Sequence, residues 1–177
     1  MILSVEELKN HIDASAGEQA LSDKLRALEL LIRSYTHNNF QNRAVRARGE
    51  CRSDGTILCN RALFAPGDTL QISESDYMPN MLCTVKSVEG NMITVGEGER
   101  LYDEDVLVTK VEYPADVKMG VINMLRWDLV NRDKVGIQSE TISRHSVTYF
   151  NLDGDNSAIG YPRSVMGFLK PYMKARF

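Results

Sequence analysis

The chain has 177 residues, of which 43% are hydrophobic, 25% charged and 7% aromatic, and its formal net charge is −3. That balance excludes a disordered or fibrous chain and a strong sequence-independent pull toward phosphate or anionic membrane. No apolar run approaches the roughly 20 residues of a membrane span, and residues 1–7 lack the pattern of a signal peptide, so no membrane association is expected.

In chain order, Ser4 followed three residues later by Glu7 is a capping box, and Val5, Leu8 and Ile12 continue it on one helical face. Ser15 and Glu18 repeat that spacing ahead of Leu21, Leu25, Leu28, Ile32 and Tyr35, an amphipathic stripe that predicts a second helix ending near His37. Between about Asn42 and Glu112 the apolar period falls to two, at Val45/Ala47, Leu70/Ile72, Val85/Val88 and Ile93/Val95. Turn signals punctuate this stretch at Pro66-Gly67-Asp68, Glu89-Gly90-Asn91 and Gly96-Glu97-Gly98. Short strands with tight turns predict a small antiparallel barrel or sandwich inserted between helices.

Pro114 and Asp116 open a third helix to about Arg132 that is apolar nearly all round. It is either a central core helix or one that shares a face with a neighbouring subunit. Residues 135–150, rich in hydroxyls, read as an extended arm ending in a strand, and residues 151–157 as a turn-rich loop. Pro162 starts a last helix with Val165, Phe168, Leu169 and Tyr172 on one face, and Pro171 should kink or stop it near Lys170. The expected fold class is α+β: a bundle of about four helices from residues 1–41 and 113–177, with an inserted antiparallel β-barrel-like module at 42–112.

Little in the sequence encodes a reaction. Cys51, Cys59 and Cys83 have no paired zinc spacing and lie far from His11, His37 and His145. Cys59 or Cys83 with His145 would make a nucleophile and base, but no flanking elbow motif accompanies them. Asp153-Gly-Asp155-Asn156 begins like a calcium loop and then places Ala158 and Ser164 where Gly and Glu are needed. Asp103-Glu104-Asp105 reads as a surface acidic loop. No cofactor or metal is expected. Arg46, Arg48 and Arg52 would share one strand face, yet residues 42–112 hold four more acids than bases and few aromatics, unlike a nucleic-acid platform. Residues 113–177 reverse the balance by three charges and contain no acid after Asp155, making a basic end on an acidic body.

Several strings, taken in order, resemble the head-to-tail connector (adaptor or head-completion) proteins of tailed bacteriophages of Gram-positive hosts. They are Leu3-Ser-Val-Glu-Glu-Leu-Lys9, Ala27-Leu-Glu-Leu-Leu-Ile-Arg-Ser-Tyr-Thr36, Gln138-Ser-Glu-Thr-Ile-Ser-Arg-His-Ser-Val-Thr-Tyr149, Gly160-Tyr-Pro162 and Leu169-Lys-Pro-Tyr172. The insertion at 42–112 and Ser143-Arg144-His145, where a Gly-Asp-Tyr-like turn is common, depart from the family pattern. The resemblance implies a non-enzymatic virion protein at the neck, present in host cytoplasm during assembly. It would form a ring, expected to be a dodecamer, that extends the DNA channel beneath the portal protein and receives the neck or tail-completion protein. Phe168, Leu169, Tyr172, Met173 and Phe177 would then meet the portal. Lys170, Lys174 and Arg176 would touch packaged DNA without reading its sequence. Met119, Ile122, Trp127, Ser139, Thr141, Ile142 and Thr148 would lie between subunits. The alternative is a β-barrel that binds a ligand or nucleic acid, carried on a helical dimerisation part.

Overall fold

A computed structural model describes residues 1–12, 17–96, 102–134, 139–142, 145–148 and 155–175. The fold is α+β, with four α-helices among the described residues and a closed six-stranded antiparallel barrel. The chain forms two compact units, Met1–Ile2 with Asn38–Tyr113 and Leu3–His37 with Pro114–Phe177.

The first unit is the barrel. Its strands are β1 (Gln41–Cys51), β2 (Thr56–Cys59), β3 (Thr69–Ser73), β4 (Met81–Glu89), β5 (Met92–Val95) and β6 (Asp103–Val111). They follow one another around the barrel as β1-β2-β5-β4-β3-β6, and β6 pairs back with β1. Inward positions alternate with outward ones, as the two-residue period requires. Ala47 is buried between exposed Arg46 and Arg48, and Leu70, Ile72, Val85, Ile93, Val106 and Val108 are among the other buried residues of the same core. Register shifts between Gln41 and Arg46 on β1, and between Val85 and Ser87 on β4, add the local bend that closing a short sheet needs. Gly90 sits at φ +61°, a conformation that suits the two-residue turn joining β4 to β5.

The barrel corrects one expectation. Asp103-Glu104-Asp105 is the start of β6, and Asp103 is buried there. Strand β2, with Ile57 and Cys59 pointing inward, goes beyond the apolar pairs that marked the module in the sequence.

In the second unit, α1 (Val5–Lys9) has both halves of the Ser4/Glu7 capping box in place. Helix α2 (Glu18–Thr36) buries Leu21, Leu25, Leu28 and Ile32 as the stripe predicts, but its N-cap is Gly17 with no side-chain bond; Ser15 lies outside the described residues. Helix α3 (Ala115–Asn131) buries Val117, Val121, Ile122, Met124 and Leu125. A 3-10 turn, Arg132–Lys134, follows it. The expected single arm is instead a hairpin of β7 (Ser139–Ile142) and β8 (His145–Thr148), with Ser139 opposite Thr148 and Ile142 opposite His145. Strands β9 (Ser157–Ala158) and β10 (Tyr161–Pro162) form a second small hairpin. The last helix is shorter than its spacing suggests. Helix α4 covers only Arg163–Met166, then tightens to 3-10 over Gly167–Tyr172 with Pro171 inside that turn. A proline lacks the donor an α-helix needs, whereas a short 3-10 segment tolerates it.

Candidate interaction surfaces

The C-terminal segment is tied to its own unit at three points. The Phe168 ring lies against Gly120 so closely that a Cβ there would stand 2.3 Å from it. The Tyr172 hydroxyl donates to Asp116 at 2.8 Å, and that bond pushes the phenol's pKa up. The Lys174 amide donates to the Thr36 carbonyl at 2.8 Å, at the end of α2. Between these ties Lys170, Met173 and Lys174 are exposed, and among the described residues neither lysine has an ion pair. Phe168 and Tyr172 are half-buried. Leu169 is fully buried, which makes it a core residue of its own unit rather than a portal anchor. Arg176 and Phe177 lie outside the described residues.

Of the expected subunit-contact residues on α3, Met119 is 43% exposed and Ile122 is buried in the core, which removes Ile122 as a contact. Trp127 is half-buried and belongs to a local knot. The Arg132 guanidinium stands 5.2 Å from the Trp127 ring centroid and 4.7 Å from that of Tyr161. It also pairs with Asp128 and donates to the Gly160 carbonyl at 3.1 Å. The Tyr161 hydroxyl donates to Asp128 at 2.8 Å. Burial, reinforced by the Asp128 carboxylate, pushes the Tyr161 phenol above its ordinary pKa, so this knot stays a hydrogen-bond donor and fixes the β9–β10 hairpin to the end of α3. The bulk of α3 is therefore a core helix, and the surface apolar residues it leaves are Met119, Leu129 and Val130. Ser139, Thr141, Ile142 and Thr148 lie in the β7–β8 hairpin, whose side chains are outside the described residues.

Surface residues that sequence periodicity did not single out are Leu30 on α2, Ile159 at the β9–β10 turn, and Tyr77 and Tyr102 near the start of β6. No periodic pattern marks an exposed aromatic, so only coordinates reveal these.

On the barrel, two of the three arginines expected on one strand face, Arg48 and Arg52, are paired with acids. Arg48 bonds Glu74 at 2.7 Å and Asp105 at 3.4 Å, and Arg52 bonds Glu50 at 2.9 Å. A shallow cleft of about 320 Å³ is lined by Glu50, Cys51, Arg52, Ser53, Asp54, Tyr102 and Glu104. Cys51, Cys59 and Cys83 are buried and in no disulfide. Burial, aided by neighbouring Cys59 and carboxylates, pushes Cys51 up to about 12, and burial pushes Cys59 up to about 11, far from the thiolate a nucleophile requires. Asp103 is structural: it accepts from the Ser75 hydroxyl at 2.5 Å and from the Asp76 and Asp105 amides at 3.1 Å each. Among the described residues no three metal-ligating side chains converge, and no helix is long and apolar enough to cross a membrane.

No family model and no curated protein matches the chain. Among solved structures it is similar to the tailspike protein gp49 from Pseudomonas phage LKA1, at 21% identity over 37% of this chain and 14% of that one, with a TM-score of 0.31. It is also similar to the Gp54 tailspike of Acinetobacter baumannii bacteriophage AP22, at 21% identity over 38% of this chain and 15% of that one, with a TM-score of 0.27. The chain thus spans about one seventh of the length of either tailspike.

Proposed function

We propose that this chain is a non-enzymatic structural subunit of a tailed-phage virion. In this reading it forms a ring, expected to be twelvefold, between the portal protein and the neck or tail-completion protein, completing the head and extending the DNA channel. The observation that carries the reading is the C-terminal segment. It holds Met173 and two lysines, neither with an ion pair among the described residues, outward on a backbone pinned by Phe168, Tyr172 and Lys174, within the stretch whose Gly160-Tyr-Pro162 and Leu169-Lys-Pro-Tyr172 strings resemble connector proteins. A pre-ordered apolar group flanked by cations loses little entropy on docking, which favours a protein contact. Phe168, Tyr172, Met173 and Phe177 meet the portal. Lys170, Lys174 and Arg176 face DNA as isolated positive charges, which touch phosphate without gripping it. Met119 and Trp127 with Ser139, Thr141, Ile142 and Thr148 lie toward the neighbouring copy.

The ligand-binding alternative draws less support. Thirteen buried side chains, from Ala47 to Val108, pack together in the core of the barrel. The test is co-sedimentation with portal rings of the parent phage. The wild-type chain should load onto the rings, and the Lys170→Glu/Met173→Asp double variant should lose loading while keeping its circular dichroism and melting temperature. A chain that ignores portal rings at every concentration overturns the reading.

A further inference from the structure

Among the described residues, β7 and β8 pair only with each other, and the resulting sheet is two-stranded. A lone two-stranded hairpin is marginal in water, and each strand leaves one edge of backbone donors and acceptors open. Natural edges are guarded by lysine, proline or a bulge. Here Ser139-Glu-Thr-Ile142 and His145-Ser-Val-Thr148 contain no lysine and no proline, and their register runs without a shift.

We propose that the β7–β8 hairpin is an assembly edge that adds to the same hairpin in a second copy of this chain, β7 of one copy against β8 of the next. The inference rests on the ring-forming reading above and names the contact that would build the ring. Strand direction and charge both favour this pairing. A copy displaced sideways, keeping its strand directions, lays its β8 antiparallel to the first copy's β7, so the ladder stays antiparallel throughout. Strand β7 carries the one acid of residues 139–148, Glu140, whereas their bases, Arg144 and His145, fall at the sequence start of β8. Head-to-tail addition sets those strands side by side, whereas a two-fold arrangement sets Glu140 beside its own copy. The strands also match in length, four residues each. Each copy then uses one β7 edge and one β8 edge, and only closure of the ring leaves no edge open.

The in-hairpin register of Ser139 with Thr148 carries over to the neighbour, so a sideways copy brings its Thr148 level with the first copy's Ser139. Opposed residues on adjacent antiparallel strands are within disulfide reach. Full-length Ser139→Cys and Thr148→Cys variants are mixed and oxidised with diamide, with and without portal rings. The buried native thiols, of which Cys51 and Cys59 are pushed up to about 12 and about 11, do not compete. The expected result is several-fold more disulfide-linked dimer in the mixture than in either variant alone. In the wild-type chain, amides of 139–142 and 145–148 should gain hydrogen-exchange protection as copies associate. Equal yields in all three samples, a dominant Ser139→Cys homodimer, or association without new protection overturns edge pairing and leaves the ring reading standing. A chain that neither self-associates nor loads onto portal rings overturns both.

Discussion

Single residues in this protein show how contact geometry outweighs intrinsic preference. Glycine inside α3 should be a weakness, since alanine is better there by about 1 kcal/mol. Yet Gly120 gives the Phe168 ring its seat, and a Cβ would stand 2.3–2.4 Å from three ring atoms. Gly120→Ala should therefore destabilise by about 1–3 kcal/mol, the usual cost of overpacking, read as a lower urea midpoint. Gly120→Ala/Phe168→Leu should recover part of the loss, and additive losses would disprove the contact. Asp103 is a second such residue. The Ser75 hydroxyl first, then the Asp105 amide, hold its carboxyl below the ordinary 3.8 against the opposing effect of burial. The folded state thus prefers the ionised form. Its stabilisation is complete above the ordinary value and is lost as the pH falls through the lower folded one. Urea midpoints of the wild type should drop between about pH 5 and pH 2 more steeply than those of Asp103→Asn, which should start lower at neutral pH; parallel curves would remove Asp103 from the acid response.

At the scale of elements, the β9–β10 turn carries an evident local conflict. Ile159 and Gly160 have φ of +47° and +81°, the two positive angles of a type I′ turn. Asparagine or glycine suits the first position, and a β-branched residue there is strained by roughly 1–2 kcal/mol. Because Ile159 is 42% exposed, Ile159→Asn should raise the melting temperature rather than lower it. A fall would mean that its side chain packs better than its exposure indicates. Elements were legible in the sequence where local signals suffice. The Ser4/Glu7 box and the Leu21-to-Ile32 stripe state α1 and the buried face of α2, and alternation with turn glycines states most of the barrel. Elements that depend on distant partners were not legible. Asp103 reads as solvent-exposed because Ser75 and Asp76, which satisfy it, come from 28 and 27 residues away. The β7–β8 hairpin lacks an Asn-Gly or Asp-Gly signal at Ser143-Arg144, so periodicity suggests one arm. The last helix keeps helical spacing on paper, but Gly167 and Pro171 turn it into 3-10 structure. The resemblance implies contacts at Leu169 and Ile122, and helical spacing cannot separate a core-facing residue from a partner-facing one; both are buried.

For the whole molecule, the decisive balance is between apolar surface that the chain covers itself and apolar surface it leaves for others. Most of α3's apolar surface is covered, so its near-continuous hydrophobicity is chiefly a demand of the core. Met119 at one end and Val130 at the other, 43% and 65% exposed, are not covered. Replacing an exposed apolar group removes little burial and shifts folding by about 0.5 kcal/mol or less, whereas the same change at a site that becomes buried on association leaves a charge without a partner. The two costs can therefore be separated in one variant. Met119→Asp/Val130→Asp should keep the wild-type melting temperature at low protein concentration and lose self-association and portal loading in sedimentation velocity. Ile122→Asp, which puts a charge in the core, should unfold outright. If the double variant assembles as the wild type does, the exposed ends of α3 lie on the outer surface of the assembly, and the subunit contact falls to the β7–β8 edge and the C-terminal segment alone.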